Sequence, residues 1–405
     1  MDQLETSFRH AGPERLAAML RDARHYTLAL FDTLAQAGYA DAARVPRLSI
    51  INPPLWELGH TAWFAEWFVL RAASSSRPGA AEGHSLLARG DDWFDSNLVP
   101  HRTRWALDLP EPGAILTYCE EVLERMLARL AREPDDDAAL YPYRLALAHE
   151  DMHGEALLYT MQTLGVPLQG GMAGTMPAPR PAGEIVFKGG AFVRGGDQSY
   201  GFVFDNEKAP AACRVAPFAI DTALVSNARY LAFVEDGGYR DARWWSEAGR
   251  AWLASSGQQA PRYWRREKEA GLEAGAGWQQ LRFGRREPLV PDAPVRHLTL
   301  HEAQAWCRWA GRRLPTEAEW EFAAASGHPE FEWGKLWEWT ATPFLPYPGF
   351  APDRYLEYSA PWFGSRQSLR GASFATPARM RSPHFRNFFT AERDDIFAGF
   401  RSCPP

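Results

Sequence analysis

The sequence predicts a multi-domain chain of mixed class, with an N-terminal four-helix bundle followed by an α+β domain. The first part carries long segments of helical apolar spacing with few strand signals, whereas the rest carries short aromatic segments and many glycines. A length of 405 residues fits two or three domains. We expect the bundle over residues 1–169, a linker over 170–184 and the α+β domain over 185–405.

Prolines mark several helix starts in the first part. Pro13-Glu14 suits the start of the first helix, and Pro53-Pro54 suits the start of the second. The third helix is predicted from about Pro112 to Arg132. The fourth is predicted to begin near Tyr141-Pro142 and to run past Leu158. Four long helices with connecting loops are typical of a bundle.

Composition changes after the fourth helix. The segment Gly170–Glu184 is rich in Gly, Pro and Ala, which favours a linker. Ile185–Phe192 then has the pattern of a strand, a turn and another strand. Helical pieces are predicted near Asn227–Glu235 and Leu300–Trp309, so this part is α+β.

Charge and cysteine content exclude several classes of protein. The chain has 44 basic and 50 acidic residues and a net charge of -6, which argues against a nucleic-acid binder. Its 4 cysteines are far apart and form no CxxC pair, which argues against a disulfide framework or a cysteine zinc site.

No signal-peptide core or membrane-spanning stretch is apparent, so we expect a cytoplasmic protein without membrane partners. The 17 tryptophans predict deep cores, an aromatic-lined cleft, or both.

The strongest local signal is the segment His149-Glu150-Asp151-Met152-His153-Gly154-Glu155. On a helix, His149 and His153 share one face. Their register with apolar neighbours turns both imidazoles toward the bundle interior, and Glu150 and Asp151 are expected to face outward. Two inward histidines one turn apart can bind one metal ion.

A third histidine, His60, interrupts an apolar stripe that includes Trp56, Trp63 and Trp67. A lone histidine on an apolar face is more often a hydrogen-bonded core residue than a ligand, so the metal hypothesis depends on all three together. Facing helices of a bundle can bring His60 to His149 and His153. Imidazole suits Fe, Zn, Cu or Ni, so the ligand type alone does not select the metal.

A different function is suggested by the match of residues 149–153 to HExxH, the helix motif of zinc hydrolases, in which Glu150 would be the general base. Such an enzyme needs a third ligand, usually downstream, and the next histidine is His297 beyond the linker. His60 upstream therefore fits a bundle site better. A non-catalytic binding protein is a third hypothesis.

Five segments in the second part of the chain match the motifs of one known protein family. They occupy, in order, Trp306–Glu321, Leu336–Thr340, Leu369–Phe374, Phe385–Phe388 and Ala398–Arg401. With the three histidines, they make nearly the whole chain resemble the sulfoxide synthases of ergothioneine biosynthesis (the EgtB family). The resemblance implies a DinB-like helical bundle followed by a formylglycine-generating-enzyme-like, C-type-lectin-related α+β domain.

The resemblance also implies the chemistry and the ligands. It implies a mononuclear non-haem Fe(II) on His60, His149 and His153, O2 as co-substrate, and a carbon–chalcogen bond formed at C2 of the imidazole of hercynine, the Nα-trimethylated histidine. Asn387 matches a position that contacts hercynine. Aromatic faces suit a trimethylammonium group through cation–π attraction. The candidates in the matching segments are Phe344, Tyr347, Phe388 and Phe389.

Several positions depart from the family pattern. Met152 replaces a glutamine placed to hydrogen-bond the substrate imidazole, and Phe344 aligns with a tyrosine proton donor, which leaves Tyr347 as the nearest candidate acid. Arg393 is retained where some members bind the thiol substrate's carboxylate, but Phe389 replaces an acidic residue.

These departures favour a different chalcogen donor. We expect a selenosugar, as used by the related selenoneine synthases, with cysteine or γ-glutamylcysteine as the alternative. Arg102 and Arg104 could reach the donor or could equally belong to a solvated loop.

Overall fold

The computed structural model describes residues 7–71, 81–169, 182–197, 201–208, 210–266 and 277–405. Most of the predicted linker lies outside these residues, so the boundaries at 170 and 184 stay predictions. None of the helices within the described ranges has the length and apolarity needed to span a bilayer.

Long helices dominate the N-terminal part, as predicted. They are α1 (Pro13–Gln36), α2 (Pro54–Ala65), α4 (Pro112–Leu130) and α5 (Asp137–Leu164), with a short α3 (Gly90–Phe94) between α2 and α4. The α2 helix continues as a π-helical turn over Glu66–Leu70.

The start of α5 differs from the prediction by about one turn. The Asp136 side chain accepts hydrogen bonds from the backbone N–H groups of Ala138 and Ala139. This capping starts the helix early and leaves Pro142 inside it.

The second part combines short helices with small sheets. Its helices are α6 (Asn227–Glu235), α7 (Glu247–Ser256), α8 (Leu300–Trp309) and α9 (Glu317–Ala325). The helices α6 and α8 were predicted, whereas α7 and α9 were not. The start of α9 nevertheless carries a capping box, in which Thr316 and Glu319 bond each other's backbone N–H groups.

A four-stranded sheet forms the centre of this part. Its order is β10 (Arg386–Phe389), β9 (Gln367–Gly371), β8 (Trp337–Pro343) and β11 (Ala398–Gly399), and only the β8–β11 pair is parallel.

Smaller sheets complete this part of the chain. β1 (Glu184–Phe187) pairs with β4 (Phe218–Asp221), and β2 (Gly190–Arg194) pairs with β3 (Ala211–Val215). The predicted strand–turn–strand of 185–192 is therefore present, but its two strands pair with different partners. A three-stranded sheet contains β5 (Trp264–Arg266), β6 (Trp278–Arg282) and β7 (Arg285–Pro288).

A buried carboxylate joins α5 to the second part of the chain. Oε1 of Glu155 accepts hydrogen bonds from Trp337 Nε1 at 2.8 Å, Ser373 Oγ at 2.7 Å and Tyr159 OH at 2.6 Å. Its Oε2 accepts from Thr376 Oγ1 at 2.7 Å. Three of these donors come from the α+β part, so the position of α5 relative to the central sheet is set by directional bonds.

We expect Glu155→Ala to lower the free energy of unfolding by about 3 kcal/mol, because it leaves buried donors without an acceptor. Urea unfolding measures the loss. Glu121→Ala is the matched control: the side chain of Glu121 is 44% exposed, and the expected change is within about 0.5 kcal/mol. Equal stability of Glu155→Ala and the native protein would contradict this role.

Candidate metal centre

Three imidazoles meet between α2 and α5. One ligand atom each from His60, His149 and His153 lies within 4.8 Å of the others. His60 and His149 are 3% exposed, and the His153 side chain is 19% exposed. The ring centroids are 5.0 Å apart for His60–His149, 4.9 Å for His60–His153 and 4.4 Å for His149–His153. The structure therefore brings together the three residues that the sequence selected.

His60 is oriented from behind by a backbone carbonyl. Its Nδ1 lies 2.8 Å from the carbonyl oxygen of Phe94, which favours a proton on Nδ1 and leaves Nε2 free to bind a metal. One turn earlier on α2, Trp56 Nε1 donates to the carbonyl of Trp93 at 2.7 Å, and the Trp56 ring stacks on His60 at 4.8 Å with an interplanar angle of 10°. Two consecutive carbonyls thus hold the His60 face of α2.

Gly59 makes this approach possible. A Cβ at Gly59 would lie 2.3 Å from Cζ of Phe94, whose side chain is fully buried. Any larger residue would push the Phe94 ring, and with it the carbonyl that orients His60.

His153 is oriented by a carboxylate. Its Nδ1 lies 2.8 Å from Oε1 of Glu57, and Oε2 of Glu57 accepts from Asn52 Nδ2 at 2.8 Å. Burial alone would raise the pKa of Glu57, but His153 and Asn52 together hold it below its ordinary value. A carboxylate behind a histidine fixes the ring and increases its basicity as a metal ligand.

His149 packs against an aromatic ring. Its imidazole stacks on Phe64 with centroids 3.5 Å apart and an interplanar angle of 2°. Its Nδ1 is buried and has no hydrogen-bond partner among the described residues. Tyr355 contacts both Phe64 and His149, with ring centroids at 5.0 Å and 6.3 Å.

Burial keeps the site's imidazoles ready for a metal. It lowers the pKa of His60 and of His149 well below the ordinary value, and the neighbouring imidazoles lower both further. Neutral imidazole is the form that binds metals. The donor set, with Nδ1 of two ligands already bonded, fits a divalent first-row metal.

The acidic residues of the motif do not face outward, contrary to expectation. Glu150 and Asp151 are each 4% exposed. Glu150 pairs with Arg24 of α1 through contacts of 2.7 Å and 3.1 Å. Asp151 pairs with Arg379 of the α+β part through contacts of 2.7 Å and 2.8 Å. The α5 helix is enclosed on several faces, so its polar residues are buried in ion pairs rather than solvated. Glu150, held by Arg24, is not available as the general base that HExxH hydrolysis needs.

A cavity of about 320 Å³ opens beside His153. Both parts of the chain line it, including the predicted substrate-binding residues Met152, Asn387, Phe389 and Arg393. Trp337, Phe385 and Tyr159 add aromatic surface, and Asp151, Glu155 and Glu57 add acidic residues.

Strand alternation decides which residues of β10 line the cavity. Asn387 and Phe389 do, whereas the Phe388 ring stacks on Phe344 at 4.2 Å. Successive side chains of a strand point to opposite faces, so three consecutive residues cannot share one site. Phe344 is fully buried and also lies outside the lining.

Tyr347 lies in a charged cluster away from the cavity lining. The guanidinium carbons of Arg194 and Arg386 are each 3.9 Å from the centre of its ring, and its hydroxyl is 3.4 Å from Oε2 of Glu321. Burial raises the pKa of Tyr347, and the charge of Glu317 raises it further. Its role as an acid stays a prediction.

Arg102 and Arg104, which the sequence offered as possible contacts of the donor, also lie outside the lining. Arg102 is exposed. Arg104 instead lies over the Trp56 ring, with its guanidinium carbon 3.7 Å from the ring centre.

Some residues near the imidazoles were missed by sequence reasoning. Glu57 lies on the same helix as His60, so its position could have been inferred from i,i+3 spacing. Tyr355 and Tyr358 lie in the long connection between β8 and β9, which has no periodicity to indicate contact. Tyr358 OH is 3.9 Å from Sδ of Met152, and burial raises the pKa of both tyrosines.

Arg393 is already paired within the cavity wall. Its Nε and Nη2 lie 2.6 Å and 2.7 Å from the two carboxylate oxygens of Asp395, and its guanidinium carbon is 4.8 Å from the Phe389 ring centre. The positive charge of this arginine is therefore neutralised by its neighbour in the cavity wall.

We expect Gly59→Ala to destabilise the protein by about 1–3 kcal/mol through overpacking against Phe94. Thermal or urea unfolding measures the change. The matched control is Gly113→Ala on α4, where a Cβ meets nothing within 4 Å and the variant should be neutral or stabilised by less than about 1 kcal/mol. Equal effects of the two substitutions would refute the close approach at Gly59.

Two family models match the chain in sequence order: the DinB superfamily over residues 19–161 and the sulfatase-modifying factor enzyme 1-like domain over residues 171–336. The hercynine oxygenase of Mycolicibacterium thermoresistibile is 33% identical over 442 residues, which cover 95% of this chain and 94% of that protein. The hercynine oxygenase of Mycobacterium tuberculosis is 32% identical over 441 residues, covering 96% and 98%. The formylglycine-generating enzyme of Streptomyces coelicolor is 34% identical over 174 residues, covering 39% of this chain and 53% of that protein. The predicted DinB-like and formylglycine-generating-enzyme-like architecture is confirmed, and similarity across nearly the whole chain means that this protein belongs to the hercynine oxygenase family.

Proposed function

We propose that the protein is an Fe(II)- and O2-dependent enzyme that joins a chalcogen to C2 of the hercynine imidazole. The observation that carries this proposal is the set of three imidazoles, two of them buried, beside a cavity, in a chain similar over its length to proteins named hercynine oxygenase. His60, His149 and His153 would hold the metal. When bound, iron supplies the redox chemistry that activates O2.

The cavity's chemistry supports a substrate that carries a trimethylammonium group. A trimethylammonium group has no N–H to donate, so it suits aromatic faces and nearby negative charge. Trp337, Phe385 and Phe389 supply such faces, and Met152 and Met380 add polarizable apolar surface. Asn387 uses its Oδ1 to accept from the N–H of Phe388 at 2.9 Å, which leaves its Nδ2 to donate to the substrate.

We propose a selenosugar as the chalcogen donor, with cysteine or γ-glutamylcysteine as the alternative. The support is electrostatic: Arg393 is neutralised by Asp395, and Phe389 stands beside it. An uncharged sugar needs neither a free guanidinium nor a carboxylate in this wall, whereas an amino-acid donor gains from both. Hercynine, a selenol R–SeH and one O2 yield a selenoxide and one water, so atoms and electrons balance without another reductant.

The metal assignment predicts one Fe(II) per native chain. His60→Ala, His149→Ala or His153→Ala should each weaken binding by more than about 100-fold, because loss of a direct ligand exceeds the cost of losing an outer partner. Anaerobic titration with Fe(II) measures the affinity. His25→Ala, an exposed histidine of α1, is the control and should bind as the native protein does. Native affinity in all three ligand variants would exclude this site.

The donor assignment predicts product only with the selenosugar when the iron-loaded protein receives hercynine, O2 and one donor at a time. Mass spectrometry identifies the product. Turnover with the thiol amino acids but not with the selenosugar would refute the selenium proposal and favour the alternative.

Removing the carboxylate that pairs with Arg393 gives a second test of the donor site. Asp395→Asn frees Arg393, so the Kd for γ-glutamylcysteine, measured by calorimetric titration, should fall by about 10-fold, as expected for one charge-assisted hydrogen bond. Asp394→Asn is the matched control, because Asp394 pairs with Arg262 rather than Arg393. An unchanged Kd in Asp395→Asn would show that Arg393 takes no part in donor binding.

A further inference from the structure

Arg104 occupies an unusual position behind the metal site. It lies on the short helix His101–Ala106, outside the residues that line the cavity. Its guanidinium donates to the carbonyl of Val99 at 3.4 Å and also contacts Trp56 and Asn52. The last two contacts each lead to a different imidazole.

The first path runs through an aromatic stack. The guanidinium carbon of Arg104 lies 3.7 Å from the centre of the Trp56 ring. The His60 ring also stacks on Trp56, with centroids 4.8 Å apart and an interplanar angle of 10°. A cation over an aromatic face is attracted to it, so Arg104 holds Trp56, and Trp56 limits the tilt of His60.

The second path runs through hydrogen bonds. Arg104 Nη1 donates to Asn52 Oδ1 at 2.7 Å. Asn52 Nδ2 donates to Glu57 Oε2 at 2.8 Å, and Glu57 Oε1 lies 2.8 Å from His153 Nδ1. The amide of Asn52 is thereby oriented, with its oxygen toward Arg104 and its nitrogen toward Glu57.

Arginine suits both paths at once. Its planar guanidinium can stack with its face and donate from its edge, whereas the ammonium of lysine has no plane to stack. His60 lies on α2 and His153 on α5, so a single side chain links the orientation of ligands from two helices.

We propose that Arg104 is a positioning residue that orients His60 through Trp56 and His153 through Asn52 and Glu57. This assignment rests on the proposed metal site and gives Arg104 a role other than contact with the chalcogen donor. Outer partners of metal ligands contribute about 10- to 100-fold to affinity.

The test is Co(II) binding by the full-length protein freed of metal, followed by visible absorption, which reports affinity and ligand geometry without turnover. Arg104→Met should weaken Co(II) binding by about 10- to 100-fold and alter the ligand-field bands. Arg104→Lys should give an intermediate loss, because it keeps a cation and a donor but not the stack. Arg102→Met, an exposed arginine of the same short helix, is the matched control and should match the native protein.

A double-mutant cycle tests the hydrogen-bonded path and remains informative if Arg104→Met does not fold. Asn52→Ala should weaken binding by itself, and adding it to Arg104→Lys should cost less than it costs in the native protein, because the two residues act through one chain of bonds. Native Co(II) affinity and spectrum in Arg104→Met, or in both Arg104→Lys and Asn52→Ala, would overturn the positioning role. If His149→Ala binds Co(II) as tightly as the native protein does, that result would instead overturn the metal site itself.

Discussion

The carboxylate of Glu155 is the contact on which the arrangement of the site depends. A buried carboxylate is strongly destabilising unless its oxygens are satisfied, and here four donors from two parts of the chain satisfy them. Because the donors include Trp337 at the start of β8 and Ser373 just after β9, α5 can occupy one position relative to the central sheet. His153, two residues before Glu155, is thereby placed opposite Asn387 and Phe389 across a single cavity.

The remaining polar residues of the same helix reinforce this placement. Glu150 binds Arg24 of α1, and Asp151 binds Arg379, which also reaches Asp22 at 2.6 Å. The seven-residue motif thus divides its side chains by direction: imidazoles toward the metal site, Glu150 toward the bundle, and Asp151 and Glu155 toward the second part. The sequence matches the HExxH hydrolase motif, but the structure argues against that function. Glu150, which would act as the general base, is paired with Arg24.

The three-imidazole cluster and the cavity beside it differ in charge. Burial keeps His60 and His149 neutral, while Glu57 stays ionised behind His153. In the cavity wall, Arg393 is neutralised by Asp395 and Asp151 is neutralised by Arg379, so the acidic character of the lining comes from Glu57 and Glu155. This balance suits the trimethylammonium group of the substrate and a donor without amino or carboxylate groups, and it supports the two ligands that we propose.

The sequence by itself determined the long helices, the change from a helical bundle to an α+β part, and the three histidines as one group, because helical periodicity and i,i+4 spacing are local properties of the chain. The family resemblance of the sequence also selected Met152, Asn387, Phe389 and Arg393, which line the cavity. Only the tertiary structure decided that Phe388 faces away from Phe389's side of β10, that Tyr347 belongs to a charged cluster, and that Arg104 lies behind the metal site. It also decided the partners of Glu150, Asp151 and Arg393. These outcomes depend on strand facing and on contacts between residues far apart in sequence, which no local pattern encodes.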